Sequence, residues 1–126
     1  VSDNGSGIAR EDFPLVFAKH ATSKISNLQD LQNVLSFGFR GEALASISSV
    51  SQTTLISRTE ISPEAYLMDA TTEKIETVSS EIGTKISVRN LFENVPARLN
   101  YLKTEKTEYA HILEFVQKMA LAYPKV

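Results

Sequence analysis

The chain of 126 residues has no cysteine and only two histidines, His20 and His111. Without thiols there is neither a disulfide framework nor a thiolate metal centre, and two such distant histidines lack the spacing of a zinc site. Neither sign of charge dominates: 13 Lys and Arg stand against 15 Asp and Glu, a net charge of −2. The strongly basic field of a dedicated nucleic-acid binder is therefore missing, and only a local basic patch is left open. No apolar run approaches the length of a bilayer span, and the start has neither a basic n-region nor an apolar h-region, so no membrane partner is expected. There is no G-x-x-x-x-G-K-[ST], no G-x-S-x-G, no paired-carboxylate motif, no repeat and no low-complexity linker.

What is present fits one domain, residues 1–126, whose 42% of hydrophobic residues suffices for a core. The chain starts at Val1 without methionine, two residues before an Asp-Asn-Gly turn, so a strand is expected to be cut just upstream and the chain to be part of a longer one. In EDFPLVFAK, residues 11–19, Phe13, Val16 and Phe17 fall at helical spacing with Pro14 in the first turn. A polar loop at 20–30 precedes a second helix at 38–50, entered through glycines, with Ala43, Leu44, Ile47 and Val50 as its apolar face. TTLISRT, EAYLMDAT, KIETVSS and TKISVRNL then alternate with period two and predict antiparallel strands in a meander. Pro96 suits a helix start, and residues 104–123 carry Tyr109, Ile112, Leu113, Val116, Met119 and Ala120 on one stripe, expected to be core. The pattern predicts an α+β two-layer sandwich, a mainly antiparallel mixed sheet with helices on one face.

All five glycines fall in three short stretches, DNGSG at 3–7, GFRGEAL at 38–44 and GT at 83–84. Gly38-Phe39-Arg40-Gly41 leads into a helix whose first turn presents unpaired N–H groups, which suits an anion. Glycines let a phosphate approach the backbone, and Lys24 could add a mobile ammonium; the alternative is an ordinary helix start with Glu42 on its own dipole. Asp3 offers an acceptor-only carboxylate, which suits the exocyclic amine of adenine and repels the carbonyl that guanine has there. Gly7 would let a flat ring lie against backbone, and Thr84 could add a hydroxyl or a water bridge; the alternative is a surface turn and a strand-leading Gly-Thr.

VSDNGSGI, KHATSKI, GFRGEALASISSVS, GTKISVRNLFENVPAR and LKTEKTEYAHI stand in this order and spacing across essentially the whole chain. Together they closely resemble the N-terminal ATPase domain of the MutL family of DNA mismatch repair proteins, within the gyrase, heat-shock chaperone, histidine kinase and MutL superfamily and its Bergerat ATP-binding fold. On that resemblance Asp3 is the adenine-reading carboxylate, Gly7 the close-approach glycine and Thr84 the second adenine-side residue. Residues 20–24, with His20 ordering the segment and Thr22, Ser23 and Lys24 beside nucleotide, match the lid; Gly38, Phe39, Arg40, Gly41, Glu42, Ala43 and Leu44 match the phosphate-contacting helix start.

The resemblance implies ATP and Mg²⁺ as cofactors, lid closure, homodimerisation, slow hydrolysis that times repair, a mismatch-recognition protein as partner and weak DNA binding. It implies a bacterial cytoplasmic or a eukaryotic nuclear setting. The family's water-positioning glutamate and Mg²⁺-binding asparagine are expected upstream of Val1, so this chain alone is expected not to turn over ATP. Leu99 in PARLNY and Glu93 in LFENVP depart from the common family pattern and weaken any DNA contact around Arg98 and Lys103. The alternative function is a non-hydrolysing, nucleotide-responsive or DNA- and partner-binding assembly module.

Overall fold

The computed structural model describes residues 1–19 and 41–124. The predicted loop at 20–30 and the candidate residues His20, Thr22, Ser23, Lys24, Gly38, Phe39 and Arg40 lie outside the described residues. The chain divides into two compact units, Val1–Asn94 and Val95–Val126.

In the first unit the alternating runs form four strands, β1 (Gln52–Arg58), β2 (Ala65–Asp69), β3 (Ile75–Val78) and β4 (Gly83–Arg89). All pairings among them are antiparallel, in the order β3-β2-β1-β4. The predicted meander holds only through β3, because β4 returns to the free edge of β1 instead of pairing with β3. Strand lengths explain the choice: β1 and β4 match over seven residues, from Gln52↔Arg89 to Arg58↔Gly83, whereas β3 offers four residues whose two central positions are exposed. A long strand gains more ladder hydrogen bonds beside an equally long neighbour.

Register sets one face of this sheet. Leu55 lies between Met68 on β2 and Ile86 on β4, and Met68 lies beside Ile75 on β3. A 3₁₀ turn (Arg10–Asp12) runs into the one-turn helix α1 (Phe13–Val16), where Pro14 needs no N–H partner in the first turn. The helix is shorter than the periodicity of residues 11–19 suggests, but Phe13 is fully buried against Leu55 and Met68, with Ile8, Val16, Phe17, Tyr66, Ile75 and Ile86 around them. Each such large side chain contributes about 1.5–3 kcal/mol by leaving water. The Phe13 ring meets Tyr66 edge-on at 6.3 Å.

Helix α2 (Ala43–Ser48) is also shorter than predicted. Gly41 at φ +64° holds a left-handed conformation that a right-handed helix excludes, which sets its start. At its other end the Ser48, Ser49 and Ser51 hydroxyls donate to the carbonyls of Ala45, Ser46 and Ile47 at 3.1, 2.8 and 2.7 Å, offering the backbone partners other than further helix. The buried position is Ala45 rather than Ala43, which is exposed.

The second unit holds α3 (Pro96–Leu99) and α4 (Glu105–Ala122), the latter capped by Thr104, whose side chain accepts from Thr107 N at 3.4 Å. The stripe expected to be core is not buried: Tyr109 and Ile112 are 66% and 61% exposed. A unit with one long helix and one helical turn has no second apolar layer of its own to cover such a stripe.

Candidate functional site

Ahead of α1 the chain extends the sheet. Val1 N donates to Ile86 O at 3.0 Å, Ile86 N to Val1 O at 2.9 Å and Asp3 N to Thr84 O at 2.9 Å, with Ser2 bridged to Lys85. Residues 1–3 thus run antiparallel along the outer edge of β4. The last rung is completed by a side chain: Thr84 N donates to Asp3 Oδ1 at 3.1 Å, and the same oxygen accepts from Gly5 N at 2.9 Å. Asp3 therefore closes an Asx turn and latches it to β4 with one atom.

Two glycines make this corner possible. A Cβ on Gly7, at φ +73°, would stand 2.0 Å from Arg58 O, and one on Gly83, at φ +120°, would stand 2.2 Å from Asp3 O. The close approach made by Gly7 is to the end of β1, and that made by Gly83 is to the Asp3 carbonyl.

The end of β1 is tied in by Ser57, 1% exposed. Its hydroxyl accepts from Ile8 N at 2.8 Å, donates to Gly83 O at 2.8 Å and lies 2.9 Å from the Thr84 hydroxyl. Asp3, Gly7 and Thr84, far apart in sequence, are brought to one corner of the sheet. Both hydrogen bonds that Asp3 accepts from described residues fall on Oδ1, and the side chain is exposed, so Oδ2 remains open to a donor.

Of the other candidates, Gly41, Glu42, Ala43 and Leu44 form the entry to α2. Glu42 occupies the cap position without a side-chain hydrogen bond to the helix, while its carbonyl accepts from Ser46 N at 2.9 Å. Glu93 accepts from the Gln52 amide at 3.2 Å, a tie to β1. Arg98 and Lys103 lie in the second unit. Among the described residues no group of His, Cys, Asp and Glu is arranged to hold a metal ion, and no helix is long and apolar enough to cross a membrane.

No family model matches the chain. Individual proteins do: it is 55% identical, over its whole length, to the DNA mismatch repair protein MutL of Mannheimia succiniciproducens, and 52% identical over 97% of its length to that of Pseudomonas entomophila. The chain belongs to the MutL family. It spans about a fifth of the length of these MutL relatives, 21% and 20%. Among solved structures it resembles the Aquifex aeolicus MutL ATPase domain complexed with ADP, with a TM-score of 0.70 and 34% identity over 99% of this chain and 43% of that one. The N-terminal domain of a DNA repair protein gives 0.69 and 31%, over 92% of this chain and 33% of that one. Within this MutL segment the residue that sequence reasoning passed over is Ser57. Its signal was a small polar residue in the inward register of β1, in step with Thr53 and Leu55, where an apolar side chain is the rule.

Proposed function

We propose that this segment supplies the adenine-binding side of an ATP site in a MutL-type mismatch repair ATPase. One observation carries the reading: Asp3 Oδ1 is committed to backbone N–H groups while Oδ2 is left open beside the Thr84 hydroxyl's strand. A carboxylate oxygen so held only accepts, so it accepts a hydrogen bond from the exocyclic amine of adenine and faces the guanine carbonyl lone pair against lone pair. Thr84 stands beside it as the second adenine-side group. The likeness to a MutL ATPase domain complexed with ADP supports a nucleotide as the ligand.

On the same reading the entry to α2, with Gly41, Glu42, Ala43 and Leu44, serves the phosphates, and the phosphate and lid roles expected of Thr22, Ser23, Lys24, Gly38, Phe39 and Arg40 fall outside the described residues. ATP bound there would supply a γ-phosphate, and Mg²⁺ would neutralise the phosphates through residues other than the described ones, among which no group of His, Cys, Asp and Glu is arranged to hold a metal. Lid closure, homodimerisation and exchange of a mismatch-recognition partner and DNA are then the consequences by which ATP coordinates repair.

Asp3→Asn in the full-length protein tests the reading. Asn keeps an Oδ1 acceptor for Gly5 N and Thr84 N and replaces Oδ2 by a donor, so the corner is kept and only the ligand-facing atom changes. Competition binding is expected to show the preference for ATP over GTP falling by about 1–3 kcal/mol, the range for a hydrogen bond to a charged group. An unchanged preference would remove the assignment.

A further inference from the structure

We infer that Ser57 is a positioning residue for base selection: it fixes the direction of the Thr84 hydroxyl proton and so makes Thr84 an acceptor toward the nucleotide base. The inference rests on the proposed adenine site and adds to it a residue with no contact to the ligand.

The assignment follows from counting protons. Ser57 Oγ has one proton and two lone pairs. Ile8 N, 2.8 Å away, can only donate to it, and Gly83 O, also 2.8 Å away, can only accept from it. The single Ser57 proton therefore lies on the line to Gly83 O. The remaining neighbour, Thr84 Oγ1 at 2.9 Å, must then be the donor in that pair. The reverse arrangement, with Ser57 donating to Thr84, would leave the Ser57 and Gly83 oxygens 2.8 Å apart with no proton between them. At 1% exposure Ser57 is closed off from bulk solvent.

With its proton turned inward, the half-buried Thr84 hydroxyl offers only lone pairs to a ligand or to a bridging water. It then repeats the demand of Asp3 Oδ2 for a donor. A freely rotating threonine would accept from adenine or donate to guanine with equal ease, and the second reading of the base would be lost. Ser57 thus couples base selection to the three segments it joins: the turn at Ile8, the end of β1 and the start of β4.

The test is competition between ATP and GTP for the full-length protein carrying Ser57→Ala, alone and with Thr84→Val. Ser57→Ala is expected to lower the ATP-over-GTP binding ratio roughly fivefold, the worth of one hydrogen bond of ordinary strength. On the Thr84→Val background, where no hydroxyl proton is left to direct, the same change is expected to leave the ratio alone. Ser57→Thr, which keeps the hydroxyl, is expected to retain the wild-type ratio. A loss of ATP and GTP affinity in equal measure would make Ser57 merely structural and overturn the inference, as would an equal fall of the ratio on both backgrounds. Where Ser57→Ala does not fold, Ser57→Cys, of similar size and a far weaker donor, gives the same reading. Asp3→Asn separates the two levels: if it lowers the ratio and Ser57→Ala does not, only the role of Ser57 fails; if neither does, the adenine site itself fails.

Discussion

At the β2–β3 hairpin Asp69 Oδ1 accepts from Thr71 N and Thr72 N, both at 2.9 Å, and at the chain's start Asp3 Oδ1 accepts from Gly5 N and Thr84 N at 2.9 and 3.1 Å. The residue type, the oxygen and the number of bonds are the same. Both bonds of Asp69 close within three residues, whereas one bond of Asp3 crosses 81 positions of sequence. A local pair only shapes a turn. A pair divided between a turn and a strand fixes that turn to the sheet and presents the second oxygen at a constant place, which is what reading a ligand requires. The two regions also treat left-handed backbone differently. The hairpin seats a non-glycine there, Glu73 at φ 55°, while the corner uses Gly7 and Gly83 with main chain where a Cβ would be.

The contrast makes the corner fragile and the hairpin tolerant. Gly83→Ala drives a methyl to 2.2 Å from Asp3 O, so it is expected to destabilise the chain by about 3 kcal/mol or more, adding overpacking to a strained backbone. Urea denaturation checks this, and a loss below about 1 kcal/mol would show that the latch yields easily. A smaller effect is expected at the hairpin, where Asp69→Asn should cost about 1 kcal/mol at neutral pH. The Thr72 N–H, with help from Thr71 and against partial burial, holds the Asp69 carboxyl below its usual value. A lowered folded value means the contribution is present above the unfolded value of about 3.9 and is lost as pH falls through the folded one. The stability gap between wild type and Asp69→Asn should therefore close in acid, as denaturation at a series of pH values would record. The smallest effect is Glu73→Gly, expected to raise stability by up to about 1 kcal/mol, since relief of the left-handed conformation exceeds the added chain entropy. Glycine is favoured over a Cβ at both positions, so the contrast lies in size: the loss at Gly83, where a Cβ meets Asp3 O, should exceed the gain at residue 73 several-fold, and comparable magnitudes would break it.

The two aspartates also show what sequence carries. DNGSG announces a turn through residue chemistry alone, and the strands announce themselves through alternation, because both are local properties. Nothing in residues 1–7 states that Thr84 lies next to Asp3; that comes from residues 1–3 pairing along the outer edge of β4, a long-range contact that no local pattern marks. Ser57 was visible as a polar residue in an inward register, but its partners on two other segments were not. The burial of Ala45 in place of Ala43 is a choice of helix face that periodicity does not fix. The exposure of the Tyr109 stripe shows the limit of periodicity: it marks an apolar face and says nothing about what covers it.

The most direct test is a crystal structure of the full-length protein with ADP or a non-hydrolysable ATP analogue. The account expects the exocyclic amine of adenine within about 2.7–3.2 Å of Asp3 Oδ2. It also expects Oδ1 still bound to Gly5 N and Thr84 N, and the Thr84 hydroxyl accepting from the base or from a bridging water. Adenine seated away from Asp3, or an Asp3 carboxylate that abandons Thr84 N to meet the base, would contradict it.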